Sequence, residues 1–447
     1  MRLGLGVMTF AALLCACGDN GGRGDESATG TTTGVASLTT TTTTVGTTGA
    51  SASESGGVTE GGSQSESASG SSSAGMTGSS GGMTKFDLGV VPDASAGCGG
   101  GGGGNEPDFS YIWIANSSEG TISKINTQTL VEEGRYIVRP DQAGSPSRTS
   151  VNLSGDVAVA NRNGGLTKVY ARPERCIESN GMPGIQTSTN GTYLPWGVEE
   201  CVAWHTPMNY PSQRPAAWTQ GNFNKGTCLY ENQKVWTSGN PSGNGTVEVL
   251  RVNGDNGTIE NNVMVPVNPD FYGIYGAAVD KNGSFWGSQL GVGVLVHIDA
   301  QTLQVKTWPM PTDGYGMTVD SMGYVWTCSY NAARFDPMTE QWQTVQAGEY
   351  GGCMEDGKGT LYKATPGGIV GIDIQTLTVK QTYTLPEHIH GISIDFYGFV
   401  WAVGMTTSAY RVDPMSAQYQ TFSGLVGPYT YSDMTGFALS NVGMPTG

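Results

Sequence analysis

A glycine followed ten residues later by an aromatic residue, with a hydrophobic stretch between them, occurs five times in this chain. The copies span Gly226–Trp236, Gly276–Trp286, Gly316–Trp326, Gly352–Tyr362 and Gly391–Trp401, the last reading Gly391-Ile-Ser-Ile-Asp-Phe-Tyr-Gly-Phe-Val-Trp401. The first copy lacks both the Asp and the second Gly and is the weakest. After each of the other four comes a second alternating stretch ending in a turn, at Asp299-Ala-Gln-Thr, Asp336-Pro, Asp373-Ile-Gln-Thr and Asp413-Pro. Alternation of period two marks half-buried antiparallel strands. Asp and Pro punctuate the hairpins because Asp accepts turn amides and Pro fixes φ. Self-similarity at about 36–45 residues, built from short strands, is the mark of a β-propeller.

The two ends of the pattern complement each other. Tyr111–Asn126 carries the second half of the unit without the first, and Met434–Gly443 carries the first half without the second. One blade is therefore expected from both termini, which closes the ring and removes a free sheet edge. A further unit, Ser150-Val-Asn152-Leu-Ser-Gly155, has Arg148 in the glycine slot. The expected fold is an all-β, seven-bladed propeller over residues 108–447, closed by N- and C-terminal strands. Six or eight blades stay open, because Tyr170–Gly226 reads either as an insertion, at about 171–225, or as a hidden blade.

The pattern Gly-h-x-h-Asp-x-x-Gly-x-h-Trp (h, hydrophobic), followed by an Asp-Pro or Asp-x-x-Thr turn across roughly Tyr111–Gly443, resembles the streptogramin B lyase (virginiamycin B lyase) family and its NHL-like and gluconolactonase-like propeller relatives. The resemblance implies a lyase site of two histidines, each just before a blade glycine in neighbouring blades, with a glutamate between them holding Mg²⁺. His390 matches one histidine slot; Gly351 stands in the other, and Ala364–Thr365 falls where the carboxylate belongs. An acid–base pair with its metal is not assembled from these residues. The chain is therefore expected to be a non-catalytic ligand-binding or scaffold protein, with a lyase or hydrolase of this propeller type as the alternative. No cofactor is required on this reading, Ca²⁺ or Mg²⁺ being the minor option.

The residue before each blade glycine should face the solvent of the central channel. Reading round the ring gives Lys225, Tyr275, Tyr315, Gly351, His390, Thr435 and, by a looser alignment, Ser147. Two tyrosines, a histidine and a lysine suit recognition of a carbohydrate, peptide or protein ligand, unless Tyr275 and Tyr315 simply plug the axis. His388 and His390 share one strand face and could chelate a metal, although a hydrogen-bonded pair is the plainer reading. Trp236, Trp286, Trp326 and Trp401 are expected to pack between blades. Within the insertion, Glu178, Asn180 and Gln186 alternate as in a calcium loop, but with one carboxylate. The insertion also holds Trp196, Glu199, Glu200, Trp204 and Trp218, and should cap one face.

Ahead of the repeats the chain changes character. Arg2 and the apolar stretch Leu3–Leu14 form a leader, residues 1–16, ending in Leu14-Cys15-Ala16-Cys17. This resembles a bacterial lipobox, which implies an acylated Cys17 and export to the cell envelope, at the outer membrane or cell surface rather than the inner membrane. Residues 17–107 are almost wholly Gly, Ser, Thr and Ala, a composition that cannot bury enough apolar surface to fold and so reads as a disordered tether. The net charge of −16 with no Lys/Arg run excludes nucleic acid as a partner, and a monomer is expected. Removing Cys15 and Cys17 leaves Cys98, Cys176, Cys201, Cys228, Cys328 and Cys353, an even set that suits disulfides outside the cytoplasm. Cys328 and Cys353 fall on the packed layer between adjacent blades and are expected to pair, while Cys201 is expected to take Cys176 or Cys228.

Overall fold

The computed structural model describes residues 110–442 apart from 225, 228, 242–245, 268–270, 292 and 349–350. The leader, the tether, Cys17, Cys98, Lys225 and Cys228 lie outside the described residues. The described residues all belong to one compact unit.

These residues build seven blades: six four-stranded antiparallel sheets, and one three-stranded sheet that the C-terminal segment completes. Blade 1 holds Tyr111–Asn116, Thr121–Asn126 and Glu132–Ile137. Blade 2 holds Pro146–Val151, Val157–Asn161, Leu166–Val169 and Val202–Thr206, and blade 3 holds Ser212–Trp218, Lys234–Asn240, Thr246–Asn253 and Ile259–Pro266. Blade 4 runs from Ile274–Val279 to Val305–Pro309, blade 5 from Gly316–Val319 to Gln341–Gln346, blade 6 from Cys353–Glu355 to Val379–Thr384, and blade 7 from Ile389–Ile394 to Tyr419–Ser423. Burial falls from axis to rim: Ile389–Ile394 is buried throughout, whereas Tyr419–Ser423 of the same blade buries only Phe422.

The repeated phrase has a local cause at each of its fixed positions. Its Asp closes the turn between the first two strands of a blade. Asp395 Oδ1 accepts the amides of Tyr397 and Phe399 at 2.9 and 3.0 Å, and Oδ2 accepts Trp401 Nε1 at 2.9 Å. Asp320 with Trp326 and Asp280 with Trp286 repeat the arrangement, so one carboxylate fixes a turn and orients an indole. Trp236, Trp326 and Trp401 are fully buried in the packing between blades, and Trp286 nearly so. Opposite the tryptophans on the third strands stand cations: Lys124 faces Trp113, Arg251 faces Trp236, Arg334 faces Trp326 and Arg411 faces Trp401. Each reaches a carbonyl of the next blade: Lys124 Nζ that of Ala171 at 2.9 Å, Arg251 that of Ala300 at 2.5 Å, Arg334 that of Ile374, and Arg411 that of Thr127 across the closing seam. The opening glycine of the phrase serves close approach. A Cβ on Gly316 would lie 2.7 Å from Gly352 Cα, because the inner strands converge on the axis.

Some positions differ from the reading of the sequence. Gly226 opens no blade: it sits in the turn of a separate hairpin, Asn222–Asn224 with Leu229–Glu231. The inner strand that pairs with Lys234–Asn240 is Ser212–Trp218, with Ala217 opposite Trp236. The stretch 171–225 is therefore not one insertion. It contains two blade strands, which carry Trp204 and Trp218, and the excursions are residues 170–201 and the hairpin. At the C-terminus, Phe437–Asn441 is a short helix entered through Gly436 in the left-handed region at φ 83°, so the stretch from Met434 onward is not the closing strand. Pro428–Met434 closes the ring instead: Pro428 bridges Asn116, Tyr429 N donates to Ala115 O at 3.2 Å, and Trp113 N donates to Met434 O at 2.9 Å. Cys328 and Cys353 are joined across the seam between blades 5 and 6, and Cys201 takes Cys176.

Burial outweighs the hydrogen bonds of Asp395 and pushes its pKa up to about 6. With an unfolded value of about 3.9, the folded state holds an extra proton between the two, so this site's contribution to stability falls as the pH rises through that interval. The stability of the wild type minus that of Asp395→Asn is expected to shrink by about 2 kcal/mol from pH 4 to pH 7. Urea midpoints at the two pH values measure it, and a difference that grows with pH would mean that the hydrogen bonds, not burial, dominate.

Candidate functional site

The positions just ahead of the blade glycines meet at one end of the axis. They are Ser147 in blade 2, Arg214 in blade 3, Tyr275 in blade 4, Tyr315 in blade 5, Gly351 in blade 6 and His390 in blade 7, joined by Tyr429 and Tyr431 of the closing segment. In blades 2, 4 and 7 the strand pairing slips by one residue here, and such a bulge re-aims side chains. Two of the expected channel residues are displaced. Arg214 stands in the place assigned to Lys225, which lies outside the described residues. Thr435 is not at the channel mouth: its Oγ1 donates to Ile394 O at 2.6 Å and lies 3.1 Å from Ser393 Oγ, fastening the entry to the C-terminal helix.

Tyrosine hydroxyls link the others. Tyr275 Oη lies 3.0 Å from Tyr429 Oη, Tyr429 Oη 2.5 Å from Tyr315 Oη, and Tyr315 Oη 2.6 Å from His390 Nε2. Tyr431 stacks on Tyr315 with ring centroids 4.6 Å apart, and on Tyr275 at 5.8 Å. Arg148, in the glycine slot of blade 2, sends its side chain into the axis, packs on the faces of Tyr431 and Tyr275, and donates from Nη2 to Tyr275 O at 3.0 Å. Arg214 lies 4.9 Å from the Tyr272 ring and 5.2 Å from that of Tyr275, and Arg162 lies 3.9 Å from that of Tyr429. The aromatic set thus both plugs the axis and presents half-buried Tyr272 and Tyr429 at its mouth.

Burial governs the protonation of this cluster. It holds His390 well below the ordinary imidazole value, helped by the neighbouring Arg148 charge, so the ring is neutral at pH 7. It raises Tyr275 and Tyr315, which stay protonated, and pushes Arg148 down to about 9. The chemistry on offer is phenol faces, N–H and O–H donors, and guanidinium charge. His390 is 4% exposed rather than solvent-facing, and its Nε2 is engaged by Tyr315. The second lyase histidine has no room here: a Cβ on Gly351 would lie 2.4 Å from Ala364 Cβ. His388 lies 6.4 Å from His390 between ring centroids, and no group of three His, Cys, Asp or Glu stands at metal-binding spacing among the described residues.

The loop that resembles a calcium site is organised by a carboxylate of its own. Glu200 accepts the amide of Gln186 at 2.8 Å, and those of Ser179 at 2.6 Å and Asn180 at 3.0 Å, which hold it below the usual carboxylate range. Glu178 accepts Gly181 N, Asn180 accepts Met182 N, and the Gln186 side chain donates to the carbonyls of Pro183 and Gly184. These oxygens are spent on turns rather than turned toward one point.

Arg162, Arg214, Tyr272, Tyr429 and Tyr431 were not singled out by sequence reasoning, and Arg148 registered only as a flaw in the repeat. A signal existed for three of them. Pro215-Ala-Ala-Trp218 parallels Gly276-Ala-Ala-Val279, which puts Arg214 level with Tyr275, and Tyr429 and Tyr431 alternate with period two.

No protein-family model and no curated protein matches this chain. Among solved structures, it is similar to a streptogramin B lyase, with 15% identity over 65% of this chain and 86% of the other, at a TM-score of 0.47. It is similar to apo AztD from Citrobacter koseri, with 12% identity over 72% of this chain and 97% of the other, at 0.48. It is likewise similar to the Pan2 WD40 domain of Neurospora crassa, with 11% identity over 66% of this chain and 82% of the other, at 0.45.

Proposed function

We propose that this protein is an exported, lipid-anchored recognition head: a β-propeller that binds a carbohydrate, peptide or protein ligand at its channel mouth without transforming it. The observation that carries this reading is the convergence of five tyrosines, His390 and three arginines on one end of the axis. Rigid aromatic faces with a few fixed polar groups are what selective binding needs. The lipobox-like Leu14-Cys15-Ala16-Cys17 and the Gly/Ser/Thr-rich stretch behind it support attachment to the cell envelope through acyl chains. The match of His390 to a lyase slot supports the second reading, a propeller lyase or hydrolase.

Two measurements separate these readings. Cys17→Ser is expected to move the protein from the membrane fraction to the soluble fraction; a wild type already soluble after export would remove the anchor. The full chain in non-ionic detergent is expected to leave a streptogramin B ring closed, with or without Mg²⁺, while binding members of a glycan and peptide panel that Tyr429→Ala loses. Ring opening abolished by His390→Ala would establish the enzyme instead.

A further inference from the structure

We infer that the ligand's anchoring group is an oxyanion, a carboxylate, phosphate or sulfonate held at the channel axis by Arg148 and Arg214. The inference rests on the reading that the channel mouth is a binding site. It comes from an imbalance of donors over acceptors. Among the described residues, Arg148 Nη1, Arg214 Nε and Nη1, His390 Nδ1 and Tyr431 Oη are all buried without a hydrogen-bond partner. The four residues are at most 4% exposed, and all belong to the one aromatic cluster. Buried polar groups in folded proteins nearly always find partners, so several orphans in one cluster mark a partner that is missing. Three of these five atoms are guanidinium nitrogens, which donate and accept nothing. The missing partner is therefore an acceptor.

Its charge follows from the arginines. Among the described residues no carboxylate forms an ion pair with Arg148 or Arg214. Two buried guanidinium groups without a counter-charge are costly, and the tyrosine faces offset only part of that cost. A neutral sugar or a water would satisfy donors but leave the charge, and a cation is repelled. An oxyanion satisfies both, because two of its oxygens match the spacing of the guanidinium fork. Arg162 over Tyr429 adds positive charge at the mouth of a chain whose net charge is −16, so the local field draws anions to this end of the axis. Tyr272, with its ring beside Arg214, offers a face for the organic body of the ligand.

The test titrates inorganic phosphate, sulfate and acetate, against chloride at constant ionic strength, into the full chain in non-ionic detergent, by calorimetry and melting. At least one is expected to bind saturably at one site and to raise the melting temperature, with affinity at least tenfold weaker in Arg214→Gln. That variant is preferred because the Arg214 side chain donates no hydrogen bond to the described residues, whereas Arg148→Gln removes a bond to Tyr275 O. Binding unchanged in Arg214→Gln overturns the inference. A neutral glycan or peptide that binds and is lost in Tyr429→Ala, while no oxyanion binds, overturns the anion and leaves the recognition head standing. If neither class binds, both readings fall.

Discussion

A chain ending at Gly427 is expected to aggregate without a cooperative melt, whereas one ending at Met434 folds and loses only part of its stability. The segment Pro428–Met434 covers the inner edge of blade 1, through the bridge at Asn116 and the bonds of Tyr429 N and Met434 O. Without it, Tyr111–Asn116 presents an open strand edge, and Tyr431 and Met434, both almost fully buried, leave the centre of the ring. An open hydrophobic edge is a template for pairing with another copy. Beyond Met434 the loss is of another kind. Phe437 and Leu439 bury into two separate apolar clusters, and removing two such side chains costs about 3–6 kcal/mol while the ring stays closed. Size-exclusion chromatography and calorimetry on the two truncations decide the matter. A monomeric, cooperatively melting chain that stops at Gly427 would mean that the ring does not depend on this segment.

Gly391→Ala is expected to destabilise the head by about 3 kcal/mol or more, at the upper end of what overpacking costs. The new Cβ would lie 2.1 Å from Thr430 O and 3.1 Å from Thr430 C. Both are backbone atoms of the closing segment, so no side-chain rotation relieves the clash, and blade 7 and the closing segment must separate. Gly367→Ala is the control: a Cβ there meets nothing within 4 Å, and its effect should stay within about 0.5 kcal/mol. Guanidinium midpoints at unchanged slope compare the two. Equal effects would show that the inner strands tolerate a side chain at the point where they converge.

The architecture was legible in the sequence because three copies of the phrase are held at one point by a directional bond. Asp must reach both a turn amide and an indole N–H, so the Asp–Trp spacing cannot drift. Where the Asp is absent the pattern misleads. The hairpin at 222–231 lacks the Asp, yet it placed Gly226 ten residues before Trp236 and imitated a blade opening that Ser212–Trp218 provides. Thr435-Gly436-Phe437 imitated one too, but the left-handed Gly436 turns the chain into a helix. The site was half legible. Tyr275, Tyr315 and His390 follow from the slot before the glycine. Arg148, Arg162 and Arg214 reach the axis from positions that only the bulges and the true strand registers define.

The closing seam also sets an order in time. Asn116 and its partner Val426 are 310 residues apart, so blade 1 is synthesised first and completed last. At 5–20 residues per second, its inner edge waits roughly 15–60 s for the strand that covers it. Through that interval the nascent chain is an open arc whose first blade must be kept from other edges. Whatever receives this chain as it emerges has to shelter Tyr111–Asn116 until the last tyrosines arrive.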